Sequence, residues 1–183
     1  CAALVALSIG ASAYGLPQEP SSKFQPSSGC GCHAALLEEW RPSMHAQAIS
    51  DPLYLAKREE AGKATDGALV GFCDSCHSPV AVMSGALATS KLDEVSRDSV
   101  GCDMCHQTTG STSTGAPGNV SIGFTLDGTK RAQWADSVSP VHATALSAFH
   151  QTAEICGNCH NVNHPVNGMH LEATYTEWKN GPY

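Results

Sequence analysis

Aromatic side chains are few in this chain: four Phe, four Tyr and three Trp make up 6% of 183 residues. Aromatics carry much of an ordinary core, so part of the interior must come from something other than side chains. Basic residues are sparse too. Ten Lys and Arg stand against seventeen Asp and Glu, a formal charge of −7. That balance excludes nucleic acid as a partner, since binding it takes clustered Lys and Arg. No apolar run is long enough to span a bilayer, which takes about 20 residues. The uncharged stretch Ala2 to Gly15 (AALVALSIGASAYG) falls short of that. It reads as the end of a secretory signal with Ala11-Ser12-Ala13 as the cleavage site. Two other readings stay open. Cys1 can be an acylated N-terminus, or the segment can pack against a neighbouring subunit. Residues 1–28 are therefore set apart as an apolar N-terminal segment, and 29–183 as one domain.

Cysteine, by contrast, is abundant, with nine residues. Six fall in three copies of one pattern: Cys73-Asp-Ser-Cys76-His77, Cys102-Asp-Met-Cys105-His106 and Cys156-Gly-Asn-Cys159-His160. C-x-x-C-H is the attachment signature of c-type haem. Two thiols bond to the vinyl groups and the next His meets the iron. A zinc site would pair C-x-x-C units around one ion, with no fixed residue after them. A bacterial iron–sulfur run would pack its Cys closer together. His is only 9 of 183 residues, so its place after every pair is not chance.

A fourth copy is one residue short: Gly29-Cys30-Gly31-Cys32-His33. Both thiols can attach a haem through a tightened loop, which the glycines permit. Alternatively Cys32 alone attaches it, with His33 on the iron, and Cys30 is left to pair with the odd Cys1. The site can also hold no haem. We expect four haems, tethered at Cys30, Cys32, Cys73, Cys76, Cys102, Cys105, Cys156 and Cys159. So many committed thiols suit an exported protein. The haems then replace the missing aromatic core, the polypeptide becomes a sheath, and the apoprotein should not fold.

Four His follow a Cys: His33, His77, His106 and His160. Five remain: His45, His142, His150, His164 and His170. Four haems with two imidazoles each need four of them. Met44, Met83, Met104 and Met169 are weaker candidates, because Met more often fills core gaps. His164 lies four residues after His160, and His150 six before Cys156, so neither is well placed for the haem at Cys156 and Cys159. The economical arrangement is cross-ligation, each distal His serving a haem tethered elsewhere. With both axial seats filled, no seat is open to substrate. No C-x-x-C-K variant occurs either. Low-potential electron transfer, not enzyme chemistry, is the expected role.

Local patterns predict short helices at 34–40, at 52–62 behind the cap Asp51-Pro52, at 140–151 and at 171–179. The last but one would carry His142 and His150 on nearly one face. Residues 107–118 read as a loop. Asp127-Gly128 between 120–125 and 129–134 reads as a β-hairpin. The expected fold is mostly coil, with short α-helices and this one small hairpin, wrapped around four haems.

Two segments carry a family resemblance. Cys32-His33-x6-Trp40-x2-Ser43-Met44-His45-Ala46 resembles the first-haem region of multihaem cytochromes c, a group that includes the tetrahaem partner of hydroxylamine oxidoreductase. The stretch from Ser139-Pro140-x-His142 through Phe149-His150 and Cys156-Gly-Asn-Cys159-His160-Asn-Val to Leu171-Glu172-x-Thr174-Tyr175-x-Glu177-Trp178-Lys179 resembles the same group. A small exported tetrahaem member with an apolar N-terminal segment is similar to extracellular cytochrome nanowires of the OmcE type. The resemblance implies bis-His ligation throughout, with His45, His142, His150 and His164 as distal ligands and one of them donated by the adjacent subunit. His170 is then the spare. It also implies a head-to-tail homopolymer at the cell surface or outside the cell, passing electrons to redox partners or extracellular acceptors. A monomeric periplasmic shuttle is the alternative, and a haem enzyme acting on a small nitrogen compound the second.

Overall fold

A computed structural model describes residues 14–89 and 91–182. Residues 1–13, with Cys1 and most of the uncharged stretch Ala2 to Gly15, therefore lie outside the described residues. The part within them is not detached. Leu16 and Phe24 sit in the core, 1% and 4% exposed. Acidic side chains then hold the following stretch. The Gln25 N–H donates to Asp103 at 2.7 Å, the Ser27 N–H to Asp98 at 2.5 Å and the Ser28 hydroxyl to Glu94 at 2.5 Å.

The chain then runs through α1 (Ala34–Trp40), α2 (Met44–Gln47), α3 (Pro52–Ala64), α4 (Val70–His77), α5 (Pro79–Met83), α6 (Ala86–Thr89), α7 (Glu94–Arg97) and α8 (Cys102–His106). The caps explain the starts of three of these. Ser43 accepts the Ala46 N–H ahead of α2, Asp51 accepts the Tyr54 N–H ahead of α3 with Pro52 at its first position, and Asp93 accepts the Ser96 N–H ahead of α7. The second half holds β1 (Thr108–Ser111), β2 (Ile122–Phe124), β3 (Lys130–Ala132), β4 (Thr144–Leu146), α9 (Glu154–Gly157), β5 (Val162–Asn163), β6 (His170–Glu172) and α10 (Thr174–Lys179).

Several expectations need correction. The chain is richer in helix than mostly coil, and two of the C-x-x-C-H motifs themselves lie on helices. The single hairpin is not there. β1 pairs antiparallel with β2, β3 parallel with β4 and β5 antiparallel with β6, each ladder two-stranded. Asp127-Gly128 does turn the chain, with Gly128 at φ +78° and Asp127 accepting the Thr129 N–H. The strands on either side then find different partners, β2 in the supposed loop 107–118 and β3 in the supposed helix. That helix, 140–151, is absent. The Ser139 hydroxyl accepts the Val141 and His142 N–H groups in a local turn, β4 follows, and only Ala148–Gln151 forms a 3-10 turn. The final helix is cut to Thr174–Lys179, with His170–Glu172 as strand.

The side-chain core is small: Leu16, Phe24, Val80, Met83, Met104, Val120 and Ile122, with Cys76, Cys105 and Cys159 packed at its edge. The motif cysteines thus form the boundary between this core and an adjoining cavity of about 1140 Å³. That volume exceeds the usual range of a small-molecule pocket, about 300–1,000 Å³.

Candidate haem sites

The motif spacing is explained by the helices that carry it. α4 holds Cys73, Cys76 and His77, and α8 holds Cys102, Cys105 and His106. Residues three apart on a helix share a face, so both thiols point one way with the His beside them. Cys156 lies in α9, and the Cys159 and His160 N–H groups both return to its carbonyl, at 3.1 and 2.9 Å. The short copy differs. Cys30 and Cys32 lie in the 3-10 stretch Ser27–His33, with Cys30 at φ −85°, ψ 26°, outside helical values.

The motifs are neighbours in space. Cys73, Cys76, Cys105, Cys156 and Cys159 line one cavity, and the Cys30 thiol stands near enough to Cys102 to feel its charge. Burial and the thiols of Cys159, Cys102 and Cys156 push Cys105 up to about 12. Burial also raises Cys30 and Cys73. A raised thiol pKa is the opposite of what favours a thiolate metal site. Among the described residues no three His, Cys, Asp or Glu side chains gather around one point as a zinc site requires.

Six of the nine histidines stand in three pairs. Ring centres are 6.3 Å apart for His33 and His142, 6.1 Å for His45 and His160, and 6.1 Å for His106 and His150. A first-row metal lies about 2.0–2.1 Å from a ligating nitrogen and thus about 3.1 Å from the ring centre, so two opposed imidazoles stand about 6.2 Å apart. Each pair is therefore spaced to take an iron between its rings. Each joins a motif His to a distant one, the crossed pattern, although His142 and His150 do not share a helix.

Hydrogen bonds set which ring nitrogen is free. A carbonyl only accepts, so the nitrogen facing it carries the proton. Nδ1 of His77 donates to the Ala48 carbonyl at 2.9 Å, that of His106 to Arg131 at 2.8 Å and that of His142 to Ala143 at 3.1 Å. Each leaves the Nε2 lone pair for a metal. His150 is reversed. Its Nε2 donates to the Cys105 carbonyl at 3.0 Å, and its Nδ1 is buried without a partner. An orphaned buried nitrogen in a pair of this spacing fits an iron ligand. Burial lowers the pKa of His45, His77 and His150 below the usual imidazole value, which favours the neutral ring that ligation requires.

His77 has a different neighbour. The ring against it is Tyr54, stacked at 3.6 Å with an 11° tilt. His164 lines the same cavity as His77. Its Nδ1 accepts the Val166 and Asn167 N–H groups at 3.2 and 3.4 Å, so its Nε2 carries the proton in this conformation. His170 is exposed on β6. Met83 and Met104 fill the core, while Met44 and Met169 are exposed.

Sequence reasoning missed one cluster. Asp74, inside the first complete motif and 1% exposed, accepts the Tyr54 hydroxyl at 2.5 Å and both Arg58 Nε and Nη2, at 2.6 and 2.7 Å. Its signal was legible: a carboxylate within C-x-x-C, and a Tyr and an Arg four apart on the preceding helix.

Residues 30–107 match the family described as cytochrome c554 and c-prime, a span that holds the short copy and the first two complete motifs. No curated protein matches the chain. Over 90% of its length it superposes on a penta-haem cytochrome c552 from Thermochromatium tepidum, with a TM-score of 0.63 and 21% identity. It spans 52% of that protein, about half its length. The fold is that of a multihaem cytochrome c.

Proposed function

We propose that this chain is an electron-transfer cytochrome holding four c-type haems, at Cys30/Cys32, Cys73/Cys76, Cys102/Cys105 and Cys156/Cys159. The observation that carries it is the set of three opposed His pairs at 6.1–6.3 Å, each with a motif His on one side. The bound haem supplies a one-electron ferric–ferrous couple. The chain's own residues supply two imidazoles to each of three irons, which favour a low potential, and a largely apolar wall that keeps water away. The single cavity lined by Cys73, Cys76, Cys105, Cys156 and Cys159 supports haems close enough to exchange electrons directly. A reductive titration of the purified protein tests this. Several overlapping low-potential steps in the Soret band support the reading, and a sample without a Soret band ends it.

For deployment we propose a head-to-tail filament outside the cell, which a contact that does not close into a ring generates. It is supported by the family resemblance and by exposed apolar residues in the segment leading up to His142: Trp134 at 63%, Val138 at 94% and Val141 at 76%. Negative-stain micrographs decide it. Elongated polymers are expected, and isolated particles would assign the periplasmic shuttle instead.

One observation favours a second reading, a haem enzyme on a small nitrogen compound. Among the described residues the histidine pairs at this spacing involve His33, His160 and His106, which leaves the sixth seat at Cys73 and Cys76 without an assigned imidazole. Carbon monoxide uptake by one ferrous haem in the unaltered protein would support that reading.

A further inference from the structure

Resting on the haem reading, we infer that Tyr54 is a positioning residue for the haem at Cys73 and Cys76, holding its axial ligand His77 by ring stacking. The motif histidines differ in what meets their rings. His33, His106 and His160 each face another histidine at 6.1–6.3 Å. His77 meets a phenol at 3.6 Å and 11°, a separation of ring contact with no room for an atom between.

An axial imidazole on an iron keeps one soft motion, rotation about the iron–nitrogen bond. Two restraints oppose it here. The Nδ1–H donates to the Ala48 carbonyl at 2.9 Å, and the Tyr54 ring covers one face. The tyrosine is itself fixed. Its hydroxyl donates to Asp74 at 2.5 Å, and Asp74 is gripped by the Arg58 guanidinium at 2.6 and 2.7 Å. Tyr54 and Arg58 lie one turn apart on α3 and reach α4 together. Asp74 is the residue directly after Cys73, so the anchor of the clamp lies inside the attachment motif.

The comparison with Asp103 sharpens the assignment. It holds the same position after Cys102 and is also buried, but its partners are the Gln25 N–H, Gln107 and Lys130. No aromatic ring is among them. The carboxylate position is shared; the aromatic clamp belongs to His77. Partners of this kind orient metal ligands and tune their donor strength. The haem at Cys73 and Cys76 should therefore have a ligand-plane orientation and a potential that depend on Tyr54.

The experiment uses the holoprotein carrying Tyr54→Phe, Tyr54→Leu or Tyr54→Met, each with its haems counted by denatured mass. In ferric haem the electron paramagnetic resonance g values follow the axial ligand planes, so they report ring orientation directly. In the Leu and Met variants one haem of four should change its g values and midpoint potential while three keep theirs. The Phe variant, which retains the ring, should match the unaltered protein. Loss of one haem in Leu and Met with all four kept in Phe also supports the stack. Four unmoved signals in Leu and Met overturn it. So does a Phe variant that shifts, or loses haem, as far as Leu, because the hydroxyl and not the ring would then matter. An unaltered protein without haem is a separate result, which sinks the reading beneath.

Discussion

At the scale of single residues the account rests on which nitrogen and which sulfur are free. His142, His45 and His150 each face a motif His across an iron-sized gap. Replacing any one by Ala should open one sixth seat, so ferrous carbon monoxide binding should rise by one haem per chain. No added uptake in all three variants would contradict the pairing. Arg58 carries a second prediction. It neutralises Asp74, whose side chain is 1% exposed, and a buried charge stripped of its partner costs about 3–5 kcal/mol. Arg58→Gln should therefore lower stability by about 3 kcal/mol in chemical denaturation followed by circular dichroism. The candidate motif residues stand out in the sequence, because covalent attachment of a haem would demand a fixed spacing. The pairing of distal histidines was legible only as a crossed pattern, since long-range packing decides which ring meets which. The tautomers of His150 and His164 were not legible at all: they depend on the carbonyl of Cys105 and on the amides of Val166 and Asn167.

At the scale of elements, local chemistry fixed the helix starts and failed with the strands. Ser43 and Asp51 cap α2 and α3 as their side chains allow. The turn at Asp127-Gly128 formed, but its flanks pair with segments up to 16 residues away, which a short-range hairpin signal cannot register. β4 replaced a helix because Ser139 draws the Val141 and His142 amides into its own turn. The brace on α9 is a tertiary feature of the same kind. A Cβ on Gly157 would stand 2.7 Å from Pro117 and 2.9 Å from Tyr175. Gly157→Ala should therefore cost about 1–3 kcal/mol through overpacking and lower haem occupancy at Cys156 and Cys159. Thermal melting and denatured mass measure both, and an unchanged melting point would show that the brace yields.

At the scale of the whole molecule, a thin side-chain core and a large cavity rimmed by motif cysteines are two sides of one fact. In the proposed reading a bound apolar group takes the place of the aromatics missing from the sequence, with the chain folded around it. That much follows from composition and motif count. The match to a penta-haem cytochrome over 90% of this chain gives the fold without giving the haem number, and four is the number of candidate motifs along the sequence. The most direct test is the mass of the purified holoprotein under denaturing conditions, where only covalent groups remain. The account predicts a single species carrying four haems on one polypeptide. A bare polypeptide mass, with zinc or no metal in the native sample, would contradict it.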